Sequence, residues 1–131
     1  MRTLLGVIAT VACFAVPLAG CRSDSDRARN AVKDFLSGLA DGDGREVCDQ
    51  LTAKARRQML EQSGKESCDS AAKTLSSSMP AGDRAKLRAA TVTVQTKEQG
   101  YDAVARIEGG DEVPLTKVDG DFKIVAFDFR Q

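Results

Sequence analysis

The chain has 131 residues, which is room for one domain. Its 19 basic and 19 acidic residues balance, without the large clustered basic footprint that a nucleic-acid binder needs. There is no histidine, so the commonest metal ligand and general base is missing, and neither a metal nor a cofactor is expected.

The opening residues are Met1-Arg2, an apolar run from Thr3 to Val16, and then Pro17-Leu18-Ala19-Gly20-Cys21. One early cation, a short apolar stretch and small residues before a cleavage point are the three parts of a secretory signal. The run is shorter than the roughly 20 apolar residues that span a bilayer, and Pro17 ends any helix there. Leu18-Ala19-Gly20-Cys21 resembles the lipobox of bacterial lipoproteins. The resemblance implies cleavage after residue 20, a diacylglycerol thioether on Cys21, and residence at the extracytoplasmic face of a bacterial membrane. The small side chains at 19 and 20 admit a peptidase groove, and the thiol is the nucleophile for acylation. The competing reading is an ordinary secretory signal with a cysteine at its cut site. Losing Arg2 with the signal leaves 18 basic against 19 acidic residues, a net charge of −1.

Four cysteines then sort by position. Cys13 leaves with the signal and Cys21 takes the lipid. Cys48 and Cys68 remain as an even pair in an oxidising compartment, where a disulfide is expected. Their spacing does not make a redox Cys-x-x-Cys motif, and two thiolates without histidine fall short of a zinc site.

Residues 22–27, Arg-Ser-Asp-Ser-Asp-Arg, read as a polar tether that reaches only about 20 Å when extended. The body should therefore lie close to the membrane. Asp24, Ser25 or Asp26 can cap a first helix, in which Ala28, Ala31, Val32, Phe35, Leu36 and Leu39 recur at helical spacing. Asp41-Gly42-Asp43-Gly44 stops it. Asp43 and Glu46 have capping-box spacing for a short helix bearing Val47, Cys48 and Leu51. Thr52 caps a third, with Ala55, Met59 and Leu60 inward, ended by Ser63-Gly64. A fourth runs from about Glu66 to Ser77, so the cystine joins the second helix to the fourth. After Met79-Pro80-Ala81-Gly82, only a small helical turn is expected at 83–87.

The period then changes. Ala90, Val92 and Val94 alternate with polar residues, as do Tyr101, Ala103, Ala105 and Ile107, which predicts strands with one wet face. Gly109-Gly110-Asp111 turns the chain. Val113–Val118 and Phe122–Phe129 form a last hairpin around Asp119-Gly120. Pro114 suits an edge or a bulge better than a sheet centre. Helices first and an antiparallel meander after predict an α+β domain over residues 28–131, behind a 1–20 signal and a 21–27 anchor and tether.

The opening amphipathic helix, Cys-Asp-x-Leu-Thr at Cys48–Thr52, the second cysteine and Val-x-Gly-x-Phe-Lys-Ile at Val118–Ile124 resemble small actinobacterial lipoproteins. Those carry NTF2-like, cystatin-like folds, in which a curved sheet of about four strands wraps a long helix. The resemblance implies a cone with a membrane attachment through the lipid. Its contents are open between a non-enzymatic module for a protein partner or small apolar ligand, an envelope assembly factor, and a SnoaL- or ketosteroid-isomerase-like enzyme. For the enzyme, the acid–base candidates are Asp102, Asp128 and Tyr101, with a carboxylate raised in pKa by desolvation.

Other motifs carry less. Gly109-Gly110-Asp111-Glu112 spells part of a diguanylate cyclase signature, but Val113 follows and too little chain remains for the nucleotide domain. Asp41-x-Asp43-x-Arg45 opens like a calcium loop, yet Arg45 and Thr52 stand where oxygen ligands are required. Ser76-Ser77-Ser78 has no histidine as base and reads as a helix end. Lys54, Arg56 and Arg57 are either headgroup contacts or a solvated helix face.

Overall fold

The computed structural model describes residues 23–127; the signal segment, Cys21 and Asp128 lie outside them. Helix α1 (Asp24–Asp41) starts where the Ser23 hydroxyl accepts from the Asp26 N–H at 3.2 Å. Asp24 and Asp26 then sit in its first turn against the positive end of the helix dipole. The cap is thus one residue ahead of the expected candidates, and residues 24–27 are helical rather than part of the tether. At the other end Gly42, at φ 71°, adopts the left-handed conformation and returns its N–H to the Gly38 carbonyl.

Helix α2 (Gly44–Asp49) is capped by Asp43, which accepts from the Glu46 N–H at 3.2 Å. The reciprocal half of the capping box is missing, because the Asp43 N–H goes to the Gly38 carbonyl and Glu46 accepts from Gln50. Thr52 caps α3 (Ala53–Ser63) through the Ala55 N–H at 3.1 Å, with Ala55 and Met59 buried. Helix α4 (Cys68–Ser78) follows a Ser67 cap. Helix α5 (Ala81–Ala89) is a full nine residues, longer than the expected turn. None of its side chains is fully buried and only Leu87 packs partly buried against the core, so its apolar pattern is faint; Asp83 at its start and Lys86 and Arg88 at its end match the dipole. Arg88 also holds the Asp41 carboxylate at 2.7 Å.

Four strands follow, β1 (Val92–Thr96), β2 (Ala103–Ile107), β3 (Glu112–Val118) and β4 (Asp121–Ile124), paired antiparallel in the order β1-β2-β3-β4. The architecture is α+β, with all five helices of the described residues ahead of the sheet. Asp119 and Gly120, at φ 52° and 86°, make the two-residue hairpin turn that Asp-Gly favours. Two expectations fail on one residue. Pro114 lies in β3, an internal strand, opposite Val104. Its missing N–H faces β4: Val125 donates to the Pro114 carbonyl at 2.9 Å and nothing can be returned. The β3–β4 ladder stops there, and β4 ends at Ile124 instead of running to Phe129.

The inner sheet face and the stripe of α1 form one core. Phe35, Leu36, Leu51, Met59, Leu115 and Ile124 are its largest fully buried side chains. Phe127 meets Phe35 edge-on, with ring centroids 4.9 Å apart. The Arg29 guanidinium donates to the Val92 carbonyl on β1 at 3.2 Å, and Arg27 donates to the Gly120 carbonyl of the β3–β4 turn. Helix α1 therefore touches both margins of the sheet. The outer edge of β4 is covered by the α2–α3 link: Ile124 donates to Gln50 at 2.7 Å, and Thr52 donates back to Ile124 at 2.9 Å.

Candidate functional site

The cystine is formed. Cys48 and Cys68 are bonded with Cα atoms 6.0 Å apart, joining α2 to the first residue of α4. Around it the helices approach closely. A Cβ built on the buried Gly44 would lie 2.6 Å from the Asp69 carbonyl oxygen, so only glycine fits.

Of the three acid–base candidates, Tyr101 and Asp102 are among the described residues, and neither faces the interior. Tyr101 falls outside β2, in the β1–β2 turn, and is exposed. Asp102 is exposed too, and its carboxylate accepts from the Lys117 N–H at 2.7 Å and the Thr116 hydroxyl at 2.9 Å. That N–H has no strand partner, since β2 begins only at Ala103; Asp102 substitutes for the missing strand. The Lys117 N–H first, and the Thr116 hydroxyl second, hold its pKa below the usual carboxylate value, opposite to the desolvated base expected. Asp128, Leu18, Ala19, Gly20 and Cys21 lie outside the described residues.

The remaining motifs resolve into local structure. Gly109 and Gly110 make the β2–β3 turn, both at positive φ. Asp41 binds Arg88, while Asp43 caps α2. The Ser77 and Ser78 hydroxyls donate to helix carbonyls at 2.8 Å. Lys54, Arg56 and Arg57 are exposed, and Arg56 donates to the Cys48 carbonyl at 2.9 Å. Among the described residues no group of three potential metal ligands is found. Ser76 is the only polar side chain buried among them, so the helix–sheet interior they enclose holds no carboxylate.

Two clusters are invisible in the linear sequence. On the outer sheet face Arg106 bridges Glu98 at 2.9 Å and Glu112 at 3.1 Å. These two carboxylates, Glu98 foremost, raise the Arg106 pKa. Arg106 and Glu112 are cross-strand partners, a pairing legible only once the register around Gly109-Gly110 is known. At the start of α1, Asp24 binds Lys117 at 2.9 Å, and Arg27 and Lys117 lie 5.8 and 5.3 Å from the Phe122 ring centroid. Beside this cluster a surface groove of about 310 Å³ is lined by Asn30, Asp34, Gln50 and Lys123. Its cations are committed, Arg27 to Gly120 and Asp121 and Lys123 to the Asp49 carbonyl.

These features define a helix-covered antiparallel meander clamped by one cystine, without an assembled catalytic set among the described residues. Comparison with known protein families, with curated proteins and with solved structures finds no match to the chain.

Proposed function

We propose that the chain is a bacterial lipoprotein, exported, cut after residue 20 and acylated on Cys21, whose domain acts outside the cytoplasm as a non-enzymatic binding or scaffold module. The observation that carries this reading is Leu18-Ala19-Gly20-Cys21 at the end of a short apolar run. Two acyl chains anchor durably where one holds marginally. The cystine supports an oxidising compartment. The apolar interior and the occupied carboxylate of Asp102 support a body that recognises rather than transforms. The contacts of α1 with both sheet margins support a sheet curled about the helix, as in the NTF2-like cone. No described helix is long and apolar enough to cross a membrane, so on this reading attachment rests on the lipid.

The test is Cys21→Ala in a bacterial host that acylates lipoproteins. The parent is expected in the membrane fraction, with a glyceride adduct on an N-terminal Cys21 by mass spectrometry. The variant should leave that fraction. An unmodified N-terminus downstream of Cys21 in the parent would overturn the proposal.

A further inference from the structure

The two margins of the sheet are treated differently. β4 is covered by residues 50–52, whereas among the described residues β1 carries no strand on its outer side. Which backbone groups this leaves free follows from parity. Glu108 donates to the Thr91 carbonyl and Lys97 to the Asp102 carbonyl, so odd residues of β1 turn their N–H and C=O toward β2. Even residues turn theirs outward. The Val92 carbonyl is taken by Arg29. The N–H and C=O of Val94 and Thr96 have no partner among the described residues, and no charged residue interrupts Val92–Thr96. Uncapped edges of this kind are templates for another strand.

We propose that β1 pairs antiparallel with β1 of a second copy of this chain, about a two-fold axis at Gln95. Val94 of each copy then faces Thr96 of the other, and four backbone hydrogen bonds form from the groups left free. Centring the axis on Val94 instead would set Thr96 against the Val92 carbonyl that Arg29 already holds. An isologous pair brings every residue near its own sequence, which repels wherever the strand is charged; this one is not. Gln95 meets its own copy on the outer face, where two amides can hydrogen-bond. The result is a continuous eight-stranded sheet, closed at both ends by the links that cover β4.

Thr96→Pro is the selective perturbation. The Thr96 N–H points outward and its side chain is exposed, so proline removes the intermolecular donor and leaves the β1–β2 ladder intact. Sedimentation equilibrium of the full mature protein in detergent should show a dimer. Thr96→Pro, which deletes two of the four bonds, should weaken dimerisation roughly thirtyfold. A second readout does not depend on that variant folding. Under mild oxidation Gln95→Cys should give a dimer linked through position 95, because non-hydrogen-bonded partners place Cα atoms about 4.5 Å apart. Thr93→Cys should not link to itself. A parent that stays monomeric, a dimer indifferent to Thr96→Pro, or equal crosslinking at 93 and 95 would each overturn the proposal.

Discussion

Gly44→Ala sets two effects against each other at the contact between α2 and α4. Alanine is the better helix former by up to about 1 kcal/mol. The new methyl, however, would stand 2.2 Å from Asp69 Oδ1, 2.6 Å from the Asp69 carbonyl oxygen and 2.9 Å from its Cα. The carboxylate can rotate away, but the other two atoms are backbone. Nor can α4 slide off, because Cys68, one residue before Asp69, is bonded to Cys48 in the same helix as Gly44. Overpacking that moves backbone costs about 3 kcal/mol at its upper end, so a net loss of about 2 kcal/mol is expected. For a domain of this size that lowers Tm on the order of 10 °C. Urea titration and thermal melts by circular dichroism measure it. Gly82→Ala is the control: a methyl there meets nothing within 4 Å, and the same exchange should be neutral or stabilising by up to about 1 kcal/mol. If Gly44→Ala melts with the parent, the close-approach argument is wrong.

Asp102→Asn should destabilise the fold at neutral pH by weakening the bond to the Lys117 N–H. Because the folded pKa is depressed, the carboxylate's contribution is present above its unfolded pKa near 4 and fades as pH falls through the lower folded value. The gap in urea midpoint between parent and variant should accordingly close on acidification; a gap independent of pH would contradict the assignment. Replacing both Cys48 and Cys68 by alanine opens a loop with sequence separation 20, which should cost roughly 3 kcal/mol in the chain-entropy model. In that background the penalty of Gly44→Ala should shrink, since α4 is freed to move, and an undiminished penalty would show that the cystine is not what holds the contact.

Much of this fold is legible where local chemistry decides. The Asp43 and Thr52 caps, the Asp119-Gly120 turn and the apolar stripe of α1 each depend on residues within a few positions of one another. The misreadings share a different cause. Helix α5 sets only a partly buried Leu87 against the core, so periodicity understates a helix whose end charges suit the dipole and whose Arg88 holds Asp41. The apolar residues beyond Ile124 look like more strand, but the ladder stops at the donor Pro114 lacks, a fact about pairing rather than about either segment alone. Tyr101 alternates correctly with Ala103 and still falls in the turn. Asp102 reads as a candidate base because its task, satisfying the Lys117 N–H where β2 ends, exists only in the register of β2 with β3. The free groups of β1 are hidden for the same reason: outward-facing residues are known only after the β1–β2 hydrogen bonds fix the parity.

The two proposals constrain one another through symmetry. An antiparallel edge-to-edge pair has its two-fold axis perpendicular to the sheet, so residues that face inward in one copy face the same side in the other. Helix α1 covers that inner face in each copy, and both chains enter α1 at Ser23, only two residues after Cys21. Two residues reach at most about 7 Å, so on the lipoprotein proposal both lipids would leave close to the helix side of the joined sheet. A parallel or face-to-face arrangement would carry no such guarantee, and could set the anchors on opposite sides, where one bilayer would not accept both. Confinement to one membrane also raises the effective concentration of the edges for each other. Neighbours already held on one surface should therefore pair more completely than the same molecules dispersed in detergent.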